Sequence, residues 1–213
     1  MPRRPRPVLA AIALGLVAAL GHAAPPPELP GVQIGEGVPE AALALELADL
    51  DDGRRRVGDL LGEAGSVFVF LSNTCPYAVD WFDRLPKMAE LAEEQGIGFV
   101  AVNSNARKRK AEDSPQAMAE LLEEQGFRFP YWVDADSALA EALGATRTPE
   151  VFLFDGGGSL VYRGAIDDHS GPFERVTEHW ALDALREMAA GDGVSTALTT
   201  PLGCAVLKPR RRR

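Results

Sequence analysis

Cysteine is scarce. Only Cys75 and Cys204 occur in the chain, so at most one intramolecular disulfide can close. No Cys-x-x-Cys is present, which excludes the two-thiol exchange site whose first thiolate attacks and whose second resolves. No Cys-x-x-Cys-His is present, which excludes covalent haem attachment. There is no internal repeat and no low-complexity domain. Positive charge is not in excess: the formal net charge is −9, which argues against a general nucleic-acid surface and implies solubility. The apolar run Val8 to Leu20 is too short for a comfortable membrane span.

That run follows Arg3, Arg4 and Arg6 and leads to small residues at Gly21 and Ala23. Basic, apolar and small regions in that order predict a signal peptide over 1–23, cut after Ala23. An uncleaved membrane anchor is the alternative. Loss of the leader arginines would take the formal charge from −9 to −12. Export would place the mature chain in a periplasmic or extracellular space, where a disulfide persists. Pro25, Pro26, Pro27 and Pro30 make a stiff linker over 24–36, and one domain is expected over 37–190. Residues 191–213 form a tail that carries Cys204 and ends on Lys208 to Arg213, a solvated basic segment able to touch anionic lipid or an acidic partner.

Within the domain, Leu43, Leu45 and Leu47 alternate up to the turn Asp51-Asp52-Gly53, and Arg56 and Val57 follow, which predicts a β-hairpin. Ser66 to Leu71 and Ile97 to Val102 are apolar almost without alternation, as expected of central strands covered on both faces. A helix is expected from about Pro76 to Gln95, kinked by Pro86 and closed by Gly96, with Tyr77, Trp81, Leu85 and Met88 on its core face. Arg107 to Lys110 read as a solvated loop. Ser114 caps a helix through Gln125, with Pro115 at its first position. Phe129 to Val133 is a short strand and Ser137 to Leu143 a short helix. Glu150 to Asp155 and Ser159 to Ile166 form a hairpin around three glycines, and Glu174 to Ala189 is an amphipathic helix. The order requires an α/β domain with a mixed central sheet, helices on both faces and an N-terminal hairpin extension.

Cys75 stands where the strand Ser66 to Leu71 gives way to a helix opened by Pro76. Exposed N–H groups at a helix start favour thiolate over thiol, so this is a candidate nucleophile. The alternative is a buried thiol that only packs. Asp167, Asp168 and His169 read as a solvated turn, since Cys75 and His179 are distant in sequence and no metal site is expected.

The element order, the strand-to-helix cysteine and Thr148-Pro149 before Val151 to Asp155 resemble the thioredoxin-like superfamily. Val102 to Asn105, Ala145 to Glu150, Tyr162 to Asp168 and Gly203-Cys204 resemble the redoxin group, which includes alkyl hydroperoxide reductase and thiol-specific antioxidant (peroxiredoxin-like) proteins. The resemblance covers about residues 30 to 207 and implies a thioredoxin-like fold. It also implies that Pro149 is a cis-proline facing Cys75, whose preceding backbone is an edge able to pair with a peptide or thiol substrate. Ser72 and Cys75 resemble the Thr-x-x-Cys of peroxiredoxins, with Phe68 replacing a proline expected earlier.

On that resemblance Cys75 attacks a peroxide or related oxidant. Arg147 supplies a cation, and Ser72, Thr74, Pro76, Thr148 and Pro149 line the substrate. Cys204, in a segment with few anchors, is expected to be mobile and to resolve a sulfenic acid at Cys75. The alternative for the pair is a permanent staple, worth roughly 4–5 kcal/mol in the chain-entropy model. No cofactor is expected, and the partners expected are a peroxide or thiol/disulfide substrate and a reductant protein. The competing functions are a non-catalytic binding module and a single-cysteine exchange protein.

Overall fold

A computed structural model describes residues 28–51 and 53–210. The leader, Pro25 to Pro27 and Arg211 to Arg213 lie outside the described residues. The helix α1 (Glu40–Leu43) precedes the hairpin strands β1 (Glu46–Ala48) and β2 (Arg54–Arg56). The central strand β3 (Gly65–Phe70) leads through the Cys75 turn to α2 (Pro76–Asp80) and α3 (Leu85–Glu94). Then follow β4 (Gly98–Asn103), α4 (Pro115–Gln125), β5 (Tyr131–Val133) and α5 (Ala138–Leu143). The short strand β6 (Arg147–Thr148) precedes β7 (Glu150–Asp155) and β8 (Leu160–Gly164). The chain closes with α6 (Trp180–Ala189) and β9 (Cys204–Ala205).

Among the described residues one mixed sheet runs β2-β1-β5-β4-β3-β7-β8 and a small one pairs β6 with β9. β3 runs parallel to β4, and β4 to β5, across helical crossovers, whereas β3–β7 and β7–β8 are antiparallel. Alternation along β3 explains its unbroken apolar character. Val67 and Val69 face the layer holding Trp81, Leu85 and Leu182, while Phe68 and Phe70 face Leu139, Leu143 and Phe152. Both faces are sealed, and the one polar side chain in the strand, Ser66, is accommodated at its start by donating to Leu60 O at 3.0 Å. Phe68 meets Phe154 and Phe70 meets Phe152 edge to face at 5.9 and 5.4 Å, a favoured aromatic geometry.

Several local expectations change. The helix after Cys75 is two helices, interrupted by turns over 81–84, and Pro86 lies in the first turn of α3. Proline fits there because the missing N–H has no intrahelical partner to lose. With the break, Trp81 is buried but Tyr77 is 44% exposed, so Tyr77 is not a core residue. Leu43 ends a helix rather than opening the first strand. The last helix begins at Trp180 rather than Glu174, because Thr177 N and Glu178 N donate instead to the Asp168 carboxylate at 3.0 and 3.2 Å. Asp168 therefore organises a turn, with Thr177 Oγ1 as a further donor. Among the described residues no cluster of metal-ligating side chains occurs and no helix is long and apolar enough to cross a membrane.

The ends of the domain are tied in more than their composition suggests. Val32 N donates to Leu143 O at 3.2 Å, and Gly35 N to Leu160 O at 2.8 Å, so the last part of the 24–36 linker packs on the domain. In the tail, Val206 is buried in the same layer as Leu139 and Phe152.

Candidate functional site

β3 ends at Phe70, and Leu71 N still donates to Val102 O at 2.8 Å, which carries the strand direction one residue further before the turn. Cys75 then caps α2, with Pro76 in the first helical turn. Only five residues of α2 stand behind the thiol, so few peptide dipoles add up there. The immediate surroundings of the sulfur come from distant segments. Cys75 Sγ donates to Thr148 O at 2.8 Å and accepts from Cys204 N at 3.3 Å. The residue is 2% exposed. Both cysteines are free thiols.

The Thr148-Pro149 peptide is cis, and its loop faces Cys75. A buried ion pair holds this loop from below. Glu150 Oε2 accepts from Thr146 N at 2.7 Å and Arg147 N at 3.0 Å. Glu150 Oε1 accepts from Arg163 Nε at 2.9 Å. The rest of the Arg163 guanidinium donates to Gly144 O at 2.6 Å and Pro30 O at 2.5 Å. Glu150 and Arg163 are fully buried, and a charge pair there persists because nearly every polar atom has a partner. Neither residue was singled out from the sequence. A glutamate directly after Thr148-Pro149 was the available signal.

A second buried network underlies the Cys75 turn. The Asp113 carboxylate accepts from Ser72 Oγ at 3.2 Å, Asn73 N at 2.8 Å, Asn103 Nδ2 at 2.8 Å and Asn105 Nδ2 at 3.1 Å. Asn105 Oδ1 accepts from Leu207 N at 2.8 Å, so one carboxylate ties the turn before Cys75 to the segment after Cys204. Arg109 belongs to this network rather than to solvent: its guanidinium donates to Asp113 O at 2.9 Å and Asn103 O at 2.6 Å. Tyr131 donates to Asn73 Oδ1 at 3.0 Å, and burial pushes its phenol pKa up.

The residues expected to line the substrate are not equivalent. Ser72 is buried and its hydroxyl is directed to Asp113. Thr74 and Pro76 are exposed, and Thr74 Oγ1 accepts from Lys108 Nζ at 2.8 Å. Pro149 is buried. Thr148 is 1% exposed, and its Oγ1 has no hydrogen-bond partner among the described residues. Arg147 contributes backbone to the loop while its side chain is exposed, and its charge acts on Cys204.

Cys204 is anchored, contrary to the expectation of a mobile tail. Thr148 faces Cys204 and Arg147 faces Ala205 in the β6–β9 pairing, and Val206 N donates to Thr146 O at 3.0 Å. Burial raises the Cys204 pKa to about 11, helped by the neighbouring Cys75 and opposed by Lys108 and Arg147.

A thiol at a strand-to-helix turn, faced by a cis-proline loop in a mixed sheet, defines a thiol oxidoreductase of thioredoxin-like fold. The chain belongs to the Redoxin family, whose profile matches residues 33–179. An uncharacterized conserved protein from Geobacillus kaustophilus is 30% identical, with 90% of this chain and 100% of that one covered and a TM-score of 0.77. A hypothetical protein from Sinorhizobium meliloti 1021 is 28% identical, covering 85% and 97% with a TM-score of 0.75. A peroxidoxin from Mycobacterium tuberculosis is 19% identical, covering 75% and 95% with a TM-score of 0.52, and shares the fold. Comparison with curated proteins found no match.

Proposed function

We propose that this protein is an exported peroxide reductase in which Cys75 is the attacking thiol and Cys204 the resolving thiol. The observation that carries the proposal is the 3.3 Å approach of Cys204 N to Cys75 Sγ while both thiols are free. In the first step the Cys75 thiolate attacks one peroxide oxygen and the O–O bond breaks. The other oxygen leaves as water or an alcohol after taking a proton, and Cys75 becomes a sulfenic acid. In the second step the Cys204 sulfur attacks the Cys75 sulfur, the S–O bond breaks, and water leaves as the disulfide forms. A reductant dithiol protein then attacks the more exposed Cys204 sulfur, displaces the Cys75 thiolate, and returns two electrons and two protons by thiol–disulfide exchange.

The buried Thr148 hydroxyl supports an oxygen-bearing substrate, because a buried polar atom without a partner is costly and a peroxide oxygen would satisfy it. Arg147 and Lys108 bring positive charge to Cys204 and partly offset the burial and the neighbouring Cys75 that raise its pKa. The export assignment rests on the leader pattern. The test is mass spectrometry of the purified protein before and after peroxide, with thiol alkylation. The expected result is loss of two hydrogens in a Cys75–Cys204 disulfide that a dithiol reverses. Cys75→Ser should abolish peroxide consumption and Cys204→Ser should leave a trappable sulfenic acid; unchanged turnover by Cys75→Ser overturns the proposal.

A further inference from the structure

The edge beside a cis-proline is a place where a foreign strand can pair with the backbone. In this protein it is already occupied by the protein's own C-terminal strand. Cys204 and Ala205 pair with Thr148 and Arg147, and the strand is fastened on both sides. Val206 N donates to Thr146 O at 3.0 Å and Arg107 N to Leu207 O at 3.2 Å, and Asn105 Oδ1 holds Leu207 N at 2.8 Å. Val206 is buried. At the near end Gly203 crosses the loop with φ +149°, where a Cβ would lie 2.1 Å from Thr148 O. Only glycine permits that approach.

We infer that β9 is a strap that makes substrate size a determinant of specificity. With the strap seated, Cys75 reacts with small oxidants, and extended peptides and protein disulfides are excluded because the edge they would need is filled. This inference rests on Cys75 being the reacting thiol. It assigns a role to the Gly203 to Leu207 backbone that is separate from the sulfur of Cys204. Three features point the same way: the thiol is almost completely covered, the backbone edge is paired, and the Thr148 hydroxyl in the facing loop is buried without a hydrogen-bond partner among the described residues. A single hydroxyl suits a molecule of a few atoms rather than an extended chain.

The test uses the full-length reduced protein with Cys204→Ser, which leaves one thiol and keeps the backbone N–H that reaches it. Rates of Cys75 modification by iodoacetamide and by a polyethylene-glycol maleimide are measured by mass spectrometry, each divided by the rate for free cysteine. Seated, the strap should hold the normalised bulky-to-small ratio at or below about one in a hundred. Gly203→Val should raise that ratio at least about tenfold, by forcing the chain off the Thr148 carbonyl. Val206→Asp, which expels the buried anchor instead, should do the same if Gly203→Val fails to fold, with circular dichroism reporting folding. A ratio near one in the parent, or an unchanged ratio in a folded strap variant, overturns the inference. Hydrogen peroxide is assayed in parallel. Failure to oxidise Cys75 with the size selectivity intact would remove the peroxide reading and leave the strap standing, and oxidation without size selectivity would do the reverse.

Discussion

The Asp113 carboxylate accepts the hydroxyl proton of Ser72, 41 positions away in the chain, at 3.2 Å. Through Asn73 N it also fixes the turn that presents Cys75, and through Asn105 it reaches the backbone of Leu207. One buried charge thus sets the relative position of the two cysteine-bearing segments.

Asp113→Ala should therefore cost roughly 2–4 kcal/mol, since it strands several buried donors at once. Urea unfolding measures the stability. Peroxide-driven formation of the Cys75–Cys204 disulfide should slow by at least about tenfold in the folded fraction, a loss of about 1.4 kcal/mol in the barrier. Disulfide formation at the parent rate would show that Asp113 has no positioning role.

The Glu150–Arg163 pair predicts an asymmetric result. Glu150→Ala leaves Arg163 buried beside three carbonyl acceptors and releases Thr146 N and Arg147 N. Breaking a buried pair from one side costs about 3–5 kcal/mol. Denaturant midpoints measure it, and a shift equivalent to less than about 1 kcal/mol would contradict the account.

Arg84 offers a second pair with a different remedy. Its guanidinium donates to Asp167 at 3.0 Å and to Gly171 O at 2.6 Å, and Trp81 Nε1 donates to the other Asp167 oxygen at 2.5 Å. Arg84→Met should destabilise by about 3–5 kcal/mol because it leaves the buried Asp167 carboxylate without its cation. Adding Asp167→Asn should recover part of that loss, because an amide in place of the carboxylate leaves no buried charge to compensate. Trp81 fluorescence during unfolding reports both variants.

Cys204 predicts a pH dependence of definite sign. Its pKa in the folded protein is raised to about 11, first by burial and then by Cys75. In the unfolded chain the thiol ionises near its ordinary value, so between the two values the folded state binds more protons. This contribution to stability is fully present below the unfolded pKa and declines as pH rises through about 11. Denaturant midpoints measured across that alkaline window in the parent and in Cys204→Ser should converge as pH rises. Arg147→Gln should raise the Cys204 pKa further by removing an opposing positive charge, which pH-dependent alkylation would detect as slower modification at a fixed alkaline pH.

Local chemistry made much of the framework legible. Ser114 Oγ accepts from Ala117 N at 3.2 Å, as its place before Pro115 implies, and Gly126 adopts the left-handed conformation that ends α4. The apolar run of β3 foretold a strand covered on both faces, and the hairpin β7–β8 follows its glycines. Interruption of the helix after Cys75 was harder to read, because Pro86 is compatible with either a kink within a helix or the first turn of a new one. That choice decides whether Tyr77 is core or surface.

The sequence by itself determined that this chain would form an α/β domain with one thiol delivered at a strand-to-helix turn, because periodicity, caps and turn residues act over a few positions. Which groups would surround that thiol was decided only by the tertiary structure. Thr148, Asp113 and Cys204 approach the Cys75 turn from 73, 40 and 129 positions away, and no local preference encodes such meetings. Packing of the sheet and its two buried charge networks brings the C-terminal strand across the cis-proline edge. A segment with few local anchors in sequence thereby becomes a fixed wall of the site.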